Sequence, residues 1–308
     1  MKLTRKLFVI SFVLVFAVLS ISMVGYGADD LIVLHTNDIH GRIEADDGLM
    51  GFPYIASVIE DYRENNENVL VLDAGDAIHG RPIVTKLEGR SAVEIMNTIG
   101  YDAMTIGNHD FNYGYQKLLE MEATMEFDLI ASNVEKDGEL LFNPYVVKEV
   151  GDYTVGIFGM STSDTYSSTH PDNVEGINFT DMAAAAEKYV DVLRNEHGVD
   201  MVIGLTHVGL SDSSEIANQV DGIDLIVDGH SHSLLQEGER HNNTLIVQAN
   251  EYTKYLGKVE IGFGADGPEM TASLLSAEDV KADYEPNQDV IEMLEGYNDE
   301  VLEMILGN

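Results

Sequence analysis

Gly107-Asn108-His109-Asp110-Phe111-Asn112 follows directly on the apolar run Ala103-Met104-Thr105-Ile106. The run reads as a short buried strand, and the polar cluster at its carboxyl end sets an amide oxygen, an imidazole and a carboxylate in successive positions. A Gly-Asn-His sequence alone also makes an ordinary turn. Its meaning therefore depends on whether other strands of the chain end in the same way.

Four others do. Leu31-Ile32-Val33-Leu34-His35-Thr36 runs into Asn37-Asp38-Ile39-His40-Gly41, and Val69-Leu70-Val71-Leu72 into Asp73-Ala74-Gly75-Asp76. Met201-Val202-Ile203-Gly204-Leu205 ends in Thr206-His207, and Leu225-Ile226-Val227 in Asp228-Gly229-His230-Ser231-His232. Five of the ten histidines thus stand just after four of these five strand patterns, with Asp76 after the fifth, and the carboxyl ends of strands are where open α/β sheets place their ligands. Further strand patterns cover 128–131, 154–160, 245–247 and 258–263. Helical patterns cover Gly51 to Asn65, Ser91 to Ile99 with Ser91 as cap and Glu94 three residues on, and 181–190. Strands alternating with helices, with continuous rather than alternating apolar runs, predict an α/β fold whose sheets are covered by helices. There is no internal repeat and no low-complexity tract.

At 308 residues and 44% hydrophobic content the chain can build a full core, which excludes disorder as its general state. Residues 1–28 stand apart, with a basic start (Lys2, Arg5, Lys6), an apolar stretch from Leu7 to Val24, and small residues at Gly25-Tyr26-Gly27-Ala28. That is the build of a secretory signal peptide, and the apolar stretch is also long enough to serve as an N-terminal anchor. The expected location is secreted, periplasmic or on the outer cell surface, with no other membrane segment. Seventeen basic residues face 54 acidic ones, for a formal charge of −37. Such a field repels nucleic acid polymers and anionic lipid, and it fits an extracytoplasmic protein kept hydrated in a salty setting. With no cysteine there are neither disulfides nor thiolate metal sites.

Any metal must therefore be held by His, Asp, Asn or Glu. The donors gathered at the strand ends, Asp38, His40, Asp76, Asn108, His207, His230 and His232, offer imidazole nitrogen and hard oxygen. These suit Zn, Mn, Fe or Co. Counting them out favours two divalent metal ions with Asp76 as the bridge.

In order and approximate spacing these five blocks resemble those of the calcineurin-like metallophosphoesterases. Leu34-His35-Thr36-Asn37-Asp38-Ile39-His40-Gly41, Asp73-Ala74-Gly75-Asp76 and Phe111 to Gly114 resemble the bacterial 5′-nucleotidase branch. The resemblance spans about residues 30 to 275. It implies a four-layer α-β-β-α sandwich and a dinuclear site, one ion on Asp38, His40, Asp76 and His232, the other on Asp76, Asn108, His207 and His230. It also implies that a metal-activated hydroxide attacks phosphorus in line with the leaving group, with His109 as transition-state stabiliser or proton donor. His35 and His79 flank the motifs and are assigned structural roles, while Arg42 and Arg81 are candidates for touching a phosphate.

Two departures bear on substrate. Asn112 stands where nucleotidases of this branch commonly have an Asp that orients the catalytic His, whereas the related 2′,3′-cyclic-nucleotide phosphodiesterases often have Asn. Residues 29–276 are expected to form the catalytic domain. Ala277 to Pro286 reads as a linker, and Asn287 to Leu306 as an amphipathic helix with Val290, Leu294, Tyr297, Val301 and Met304 on one stripe. The family's substrate-binding domain would follow that helix and has no counterpart in this sequence, which leaves three expectations: a separate substrate-binding chain or self-association through helix 287–306, a less selective phosphoesterase, or a fragment of a longer protein. The expected function is a secreted phosphoesterase acting on nucleotides. The alternatives are a cyclic-nucleotide phosphodiesterase, an unselective phosphoesterase, or a non-catalytic metal-binding interaction module.

Overall fold

The computed structural model describes residues 30–264 and 267–307, so the leader assigned to residues 1–28 lies outside the described residues. In chain order the elements are β1 (Leu31–Thr36), α1 (Gly51–Asn65), β2 (Val69–Asp73), α2 (Pro82–Thr85), α3 (Arg90–Ile99), β3 (Ala103–Thr105), α4 (Tyr115–Glu122), β4 (Asp128–Ile130), β5 (Val134–Lys136), β6 (Glu139–Leu140), β7 (Tyr145–Val150) and β8 (Tyr153–Ser161). They continue with α5 (Thr165–Ser168), β9 (Ile177–Phe179), α6 (Met182–Asp191), β10 (Met201–His207), α7 (Leu210–Gln219), β11 (Leu225–Asp228), β12 (Glu239–His241), β13 (Thr244–Val247), β14 (Tyr255–Gly264), β15 (Gly267–Ser276), α8 (Ala277–Asp283) and α9 (Gln288–Leu306).

Two six-stranded sheets carry the fold, ordered β15-β14-β1-β2-β3-β4 and β12-β13-β11-β10-β8-β7. Within the first, β1, β2, β3 and β4 run parallel; within the second, β8, β10, β11 and β13 do. The first sheet ends in the antiparallel strands β14 and β15 on one side and in parallel β4 on the other, while the second carries an antiparallel strand, β12 or β7, at each edge. The apolar runs are continuous because both faces of these strands are covered. On β1, Leu31 and Val33 face the second sheet, where they meet a layer that includes Val155, Ile157, Ile203 and Val227. Ile32 and Leu34 face outward onto Phe52, Ile55 and Ile59 of α1 and onto α3. Across the molecule, Phe158, Val202 and Ile226 pack on Ala186 and Tyr189 of α6 and Ile216 of α7. Three apolar layers between four layers of secondary structure make an α-β-β-α sandwich, as the resemblance implies.

Some local expectations change. Helix α3 begins at Arg90, one residue before the Ser91 assigned as cap, with Gly89 in the left-handed region as its N-cap. Ser91 is fully buried and donates to Ile83 O at 2.8 Å, so the Ser-x-x-Glu pattern serves packing here rather than capping. The stretch read as a linker contains α8, because Ser276 accepts from Asp279 N and because Ala277 and Val280 are buried. Four of the five stripe residues of α9, Val290, Leu294, Tyr297 and Val301, pack into the layer formed by α1 and α3. Arg90 grips Glu300 with two bonds of 2.6 and 2.7 Å, and Asn298 donates to Glu44 at 2.8 Å. Met304, the fifth, is 54% exposed beside exposed Leu302, Ile305 and Leu306. The helix face expected to seek an outside partner is therefore mostly covered by its own chain. Among the described residues no helix is long and apolar enough to cross a membrane.

Candidate metal centre

The eight parallel strands of the two sheets end at one edge of the sandwich, and the polar motifs meet there. Asp38, His40, Asp76, His230 and His232 all have left-handed backbone, with φ between 47° and 74°. Non-glycine residues held this way cost about 1–3 kcal/mol each, and such conformations cluster at functional sites. Buried polar bonds hold the loops there. Asn37 ties the loop after β1 to the loop after β13, accepting from Ala249 N at 2.8 Å and donating to Asn250 O at 2.7 Å. Asp110 ties the β2 loop to the β3 loop, accepting from Gly107 N, Asp76 N and Ile78 N at 2.8, 2.9 and 3.2 Å. Thr36 donates to Asp73 at 2.6 Å in one sheet, and Thr206 to Asp228 at 2.9 Å in the other. The same threonine-to-aspartate bond thus spans neighbouring parallel strands in each half, just ahead of the motif loops.

The structure brings all seven donor residues together, in two groups that share Asp76. In the first, His232 Nε2 and His40 Nε2 lie 3.2 and 3.7 Å from Asp38 Oδ1, and His40 Nε2 lies 3.7 Å from Asp76 Oδ2. In the second, His207 Nε2 lies 3.3 Å from the same Asp76 Oδ2 and 3.2 Å from Asn108 Oδ1, and His230 Nδ1 lies 2.8 Å from Asn108 Oδ1. Two ligands about 2.1 Å from a common tetrahedral centre stand about 3.4 Å apart, so these separations are those of atoms around a small cation. Asp76 Oδ1 is occupied by His109 N at 2.7 Å, which leaves Oδ2 directed at both groups. Gly107 makes this approach feasible, since a β-carbon there would fall 2.1 Å from Asp76 Oδ1.

Electrostatics agree with a cation site. Burial alone would raise Asp38 and Asp76, but the surrounding imidazoles, His207 first and then His40 and, at Asp38, His232, together outweigh it and hold both carboxyls below their ordinary range. Burial would likewise depress His207, yet the two carboxylates lift it to about 10. A proton on His207 thus supplies in the metal-free protein part of the positive charge that the carboxylates demand.

Three further residues steady the imidazoles, and two of them, Glu251 and Asp164, lie outside the sequence motifs. Glu251 Oε2 lies 2.6 Å from His232 Nδ1, Asp164 Oδ2 lies 3.3 Å from His230 Nε2, and Ala74 O lies 2.7 Å from His207 Nδ1. Carboxylate or carbonyl partners of this kind fix the tautomer and orientation of metal-binding histidines. Glu251 follows the end of β13 and Asp164 the end of β8. Both stand just past the end of a parallel strand, as the seven donors do, but in loops without a motif.

His109 and Asn112 sit beside the groups. A ring nitrogen of His109 comes within 4.8 Å of the donor atoms of His40 and Asp76. Asn112 Nδ2 is 2.9 Å from His109 Nδ1. Burial depresses the His109 pKa. Arg42 stacks 3.8 Å over the ring of Tyr252, which stands edge-on to His40 and His232, so Arg42 lies at the rim of the site. Arg81 lines with Arg42 a cavity of about 260 Å³ whose walls include Asn298 and Val301 of α9 and none of the seven donor residues.

Residues 31–234 match the family described as calcineurin-like phosphoesterase. The trifunctional nucleotide phosphoesterase protein YfkN of Bacillus subtilis is 32% identical over 89% of this chain and 21% of its own length. The 5′-nucleotidase of Bos taurus is 30% identical over 79% of this chain and 48% of its own. The chain thus spans about half of that nucleotidase and about a fifth of YfkN. Among solved structures, the 5′-nucleotidase precursor of Thermus thermophilus superposes with a TM-score of 0.77 at 28% identity, covering 90% of this chain and 60% of the other. The calcineurin-like phosphoesterase YfkN of Bacillus subtilis shares the fold with a TM-score of 0.79 at 23% identity, covering 90% of this chain and 98% of that structure. Arrived at from the strand ends and from these matches alike, the conclusion is that the chain belongs to the calcineurin-like phosphoesterase family.

Proposed function

We propose that the chain is a phosphoesterase that uses two divalent metal ions to hydrolyse nucleotides, with phosphomonoesters of the 5′-nucleotide type as substrate. The observation that carries this reading is the single oxygen Asp76 Oδ2, which faces His40 on one side and His207 on the other. A carboxylate so placed could bridge two ions. One ion would rest on Asp38, His40, Asp76 and His232, and the other on Asp76, Asn108, His207 and His230. Bound there, the ions supply Lewis acidity toward phosphoryl oxygens and an acidified water. Donor chemistry fits Zn, Mn, Fe or Co.

The protein's own part is orientation. Glu251 and Asp164 hold two of the imidazoles, Asp110 fixes the backbone that carries Asp76, and His109, beside His40 and Asp76, would donate a proton to the leaving oxygen. Asn112 sets His109 as a donor, and Arg42 on Tyr252 offers a guanidinium at the rim. Nucleotides as substrate class rest on the names of the relatives, nucleotide phosphoesterase and 5′-nucleotidase. Asn112 in place of the Asp common in the nucleotidases favours a second reading, a 2′,3′-cyclic-nucleotide phosphodiesterase. Export is supported by the leader-like composition of residues 1–28, and residues 29–276 form the catalytic unit of this reading.

Assay of the chain with Mn²⁺ or Zn²⁺ against AMP, 2′,3′-cyclic AMP and 4-nitrophenyl phosphate decides among these. AMP turnover abolished by EDTA is the expected result. Turnover of the cyclic ester alone selects the second reading, and turnover of the aryl phosphate alone an unselective phosphoesterase. No turnover of any of the three, with metal bound, selects the non-catalytic module.

A further inference from the structure

His79 lies outside the donor groups, and its place between two motifs assigned it a structural role. Its geometry is more specific than that. The His79 ring stacks on the His109 ring, with centroids 5.9 Å apart and planes 12° from parallel, and Tyr113 flanks it at 5.4 Å. Asn112 Nδ2 lies 2.9 Å from His109 Nδ1 and 3.2 Å from His79 Nδ1. An amide nitrogen carries two hydrogens and accepts none, so both of its hydrogens are engaged, one by each ring. Each imidazole must then present a lone pair at Nδ1 and carry its proton at Nε2.

We infer that His79 is a positioning residue: by taking the second N–H of Asn112 it fixes the orientation of that amide, and through it holds His109 as the Nε2–H tautomer, the form that can donate to a departing oxygen. Without His79 the Asn112 amide is free to rotate its oxygen toward His109, which selects the opposite tautomer and turns the ring's donor away from the site. The half-buried setting strengthens the selection, because an amide hydrogen or ring nitrogen left unpaired there loses more than one in water. Asp, the residue common at position 112 in the 5′-nucleotidase branch, cannot do this. A carboxylate only accepts, and it would demand Nδ1–H of both rings. The pairing of Asn112 with His79 is therefore one unit with two residues.

The kinetic consequence rests on the phosphoesterase reading; the tautomer does not. Long-range ¹H–¹⁵N spectra of the imidazoles in the full chain, recorded with and without Zn²⁺, report the protonated nitrogen of each ring directly. Nε2–H is expected for both His109 and His79 in the wild type, with His109 shifting toward Nδ1–H in Asn112→Asp and losing its single tautomer in His79→Phe. Nδ1–H at His109 in the wild type, or an unchanged His109 tautomer in His79→Phe, overturns the inference whether or not the protein turns over any substrate.

The kinetic arm compares AMP, whose alkoxide needs a proton to leave, with 4-nitrophenyl phosphate, whose leaving group needs little help. His79→Phe keeps the stack and deletes the acceptor. It should lower kcat for AMP roughly 10-fold or more and kcat for the aryl ester less than about threefold, with KM little changed. It should add nothing further in an Asn112→Ala background. Equal losses on both substrates, or additive losses in the double variant, mark His79 as structural only and overturn the inference.

Discussion

Replacing Asp110 tests whether the loops of the site are held as described. Its Oδ2 accepts from Asp76 N and Gly107 N and its Oδ1 from Ile78 N, and the residue is fully buried. In Asp110→Ala three backbone donors lose their acceptor at once. At about 1–3 kcal/mol for each unsatisfied buried donor the loss would reach about 3–9 kcal/mol. Water entering the space left by the carboxylate recovers part of that, which leaves about 3–5 kcal/mol. Asp110→Asn keeps the shape and one accepting oxygen but turns an amide hydrogen toward at least one of the donors, so it should cost about 1–3 kcal/mol. For a chain of this size each kcal/mol is about 2–4 °C, which puts the alanine variant about 6–20 °C below wild type in thermal unfolding. Urea unfolding of the metal-free protein by circular dichroism gives the free energies directly. Asp76 is left-handed and anchored by this residue, so metal affinity should fall with stability. An alanine variant within about 1 kcal/mol of wild type, or an asparagine variant worse than the alanine one, would refute the three-donor account.

Other consequences follow from single side chains. Buried His35, whose Nδ1 has no hydrogen-bond partner among the described residues, has its pKa pushed down from 6.5 to about 3 by burial. The unfolded chain therefore takes up a proton below about pH 6.5 that the folded chain refuses, and stability falls with pH at up to about 1.4 kcal/mol per unit down to about pH 3. His35→Leu should lose that slope, so urea midpoints at pH 7.5 and 5.5 should diverge less than in wild type; the same divergence in both contradicts it. Glu251→Gln should weaken the metal group containing His232 by about 10- to 100-fold, read by competition with a chelator, and an unchanged affinity removes Glu251 from its supporting role. His109→Ala should keep full metal content and lower kcat for AMP by about 10²- to 10⁴-fold; an unchanged kcat refutes its assignment as proton donor.

The sandwich was legible from sequence because its parallel strands are covered on both faces, which turns each into a continuous apolar run such as Val69 to Leu72. Edge strands escaped notice for the opposite reason. β7, with Lys148 and Glu149 in Tyr145–Val150, is half exposed and carries no such run. Helix α8 was hidden by its acidity and by Pro286 beyond it, since only Ala277 and Val280 turn inward. At the site, the seven donors announced themselves because each stands in a motif at a strand end. Glu251, Asp164 and Tyr252 did not, because they come from loops with no motif and act on histidines far away in sequence. His79 was visible but uninterpretable, since nothing in the sequence says that it shares one amide nitrogen with His109. Asp110 stood in the opening motif without a definable task until the loop backbones it joins were in place.

The central claim is that Asp76 bridges two ions. Native mass spectrometry of the Zn²⁺- or Mn²⁺-loaded chain counts them directly. Two ions per wild-type chain, one in His230→Ala and none retained after desalting in Asp76→Ala are the predicted result; a single ion in wild type, or two in Asp76→Ala, would contradict it.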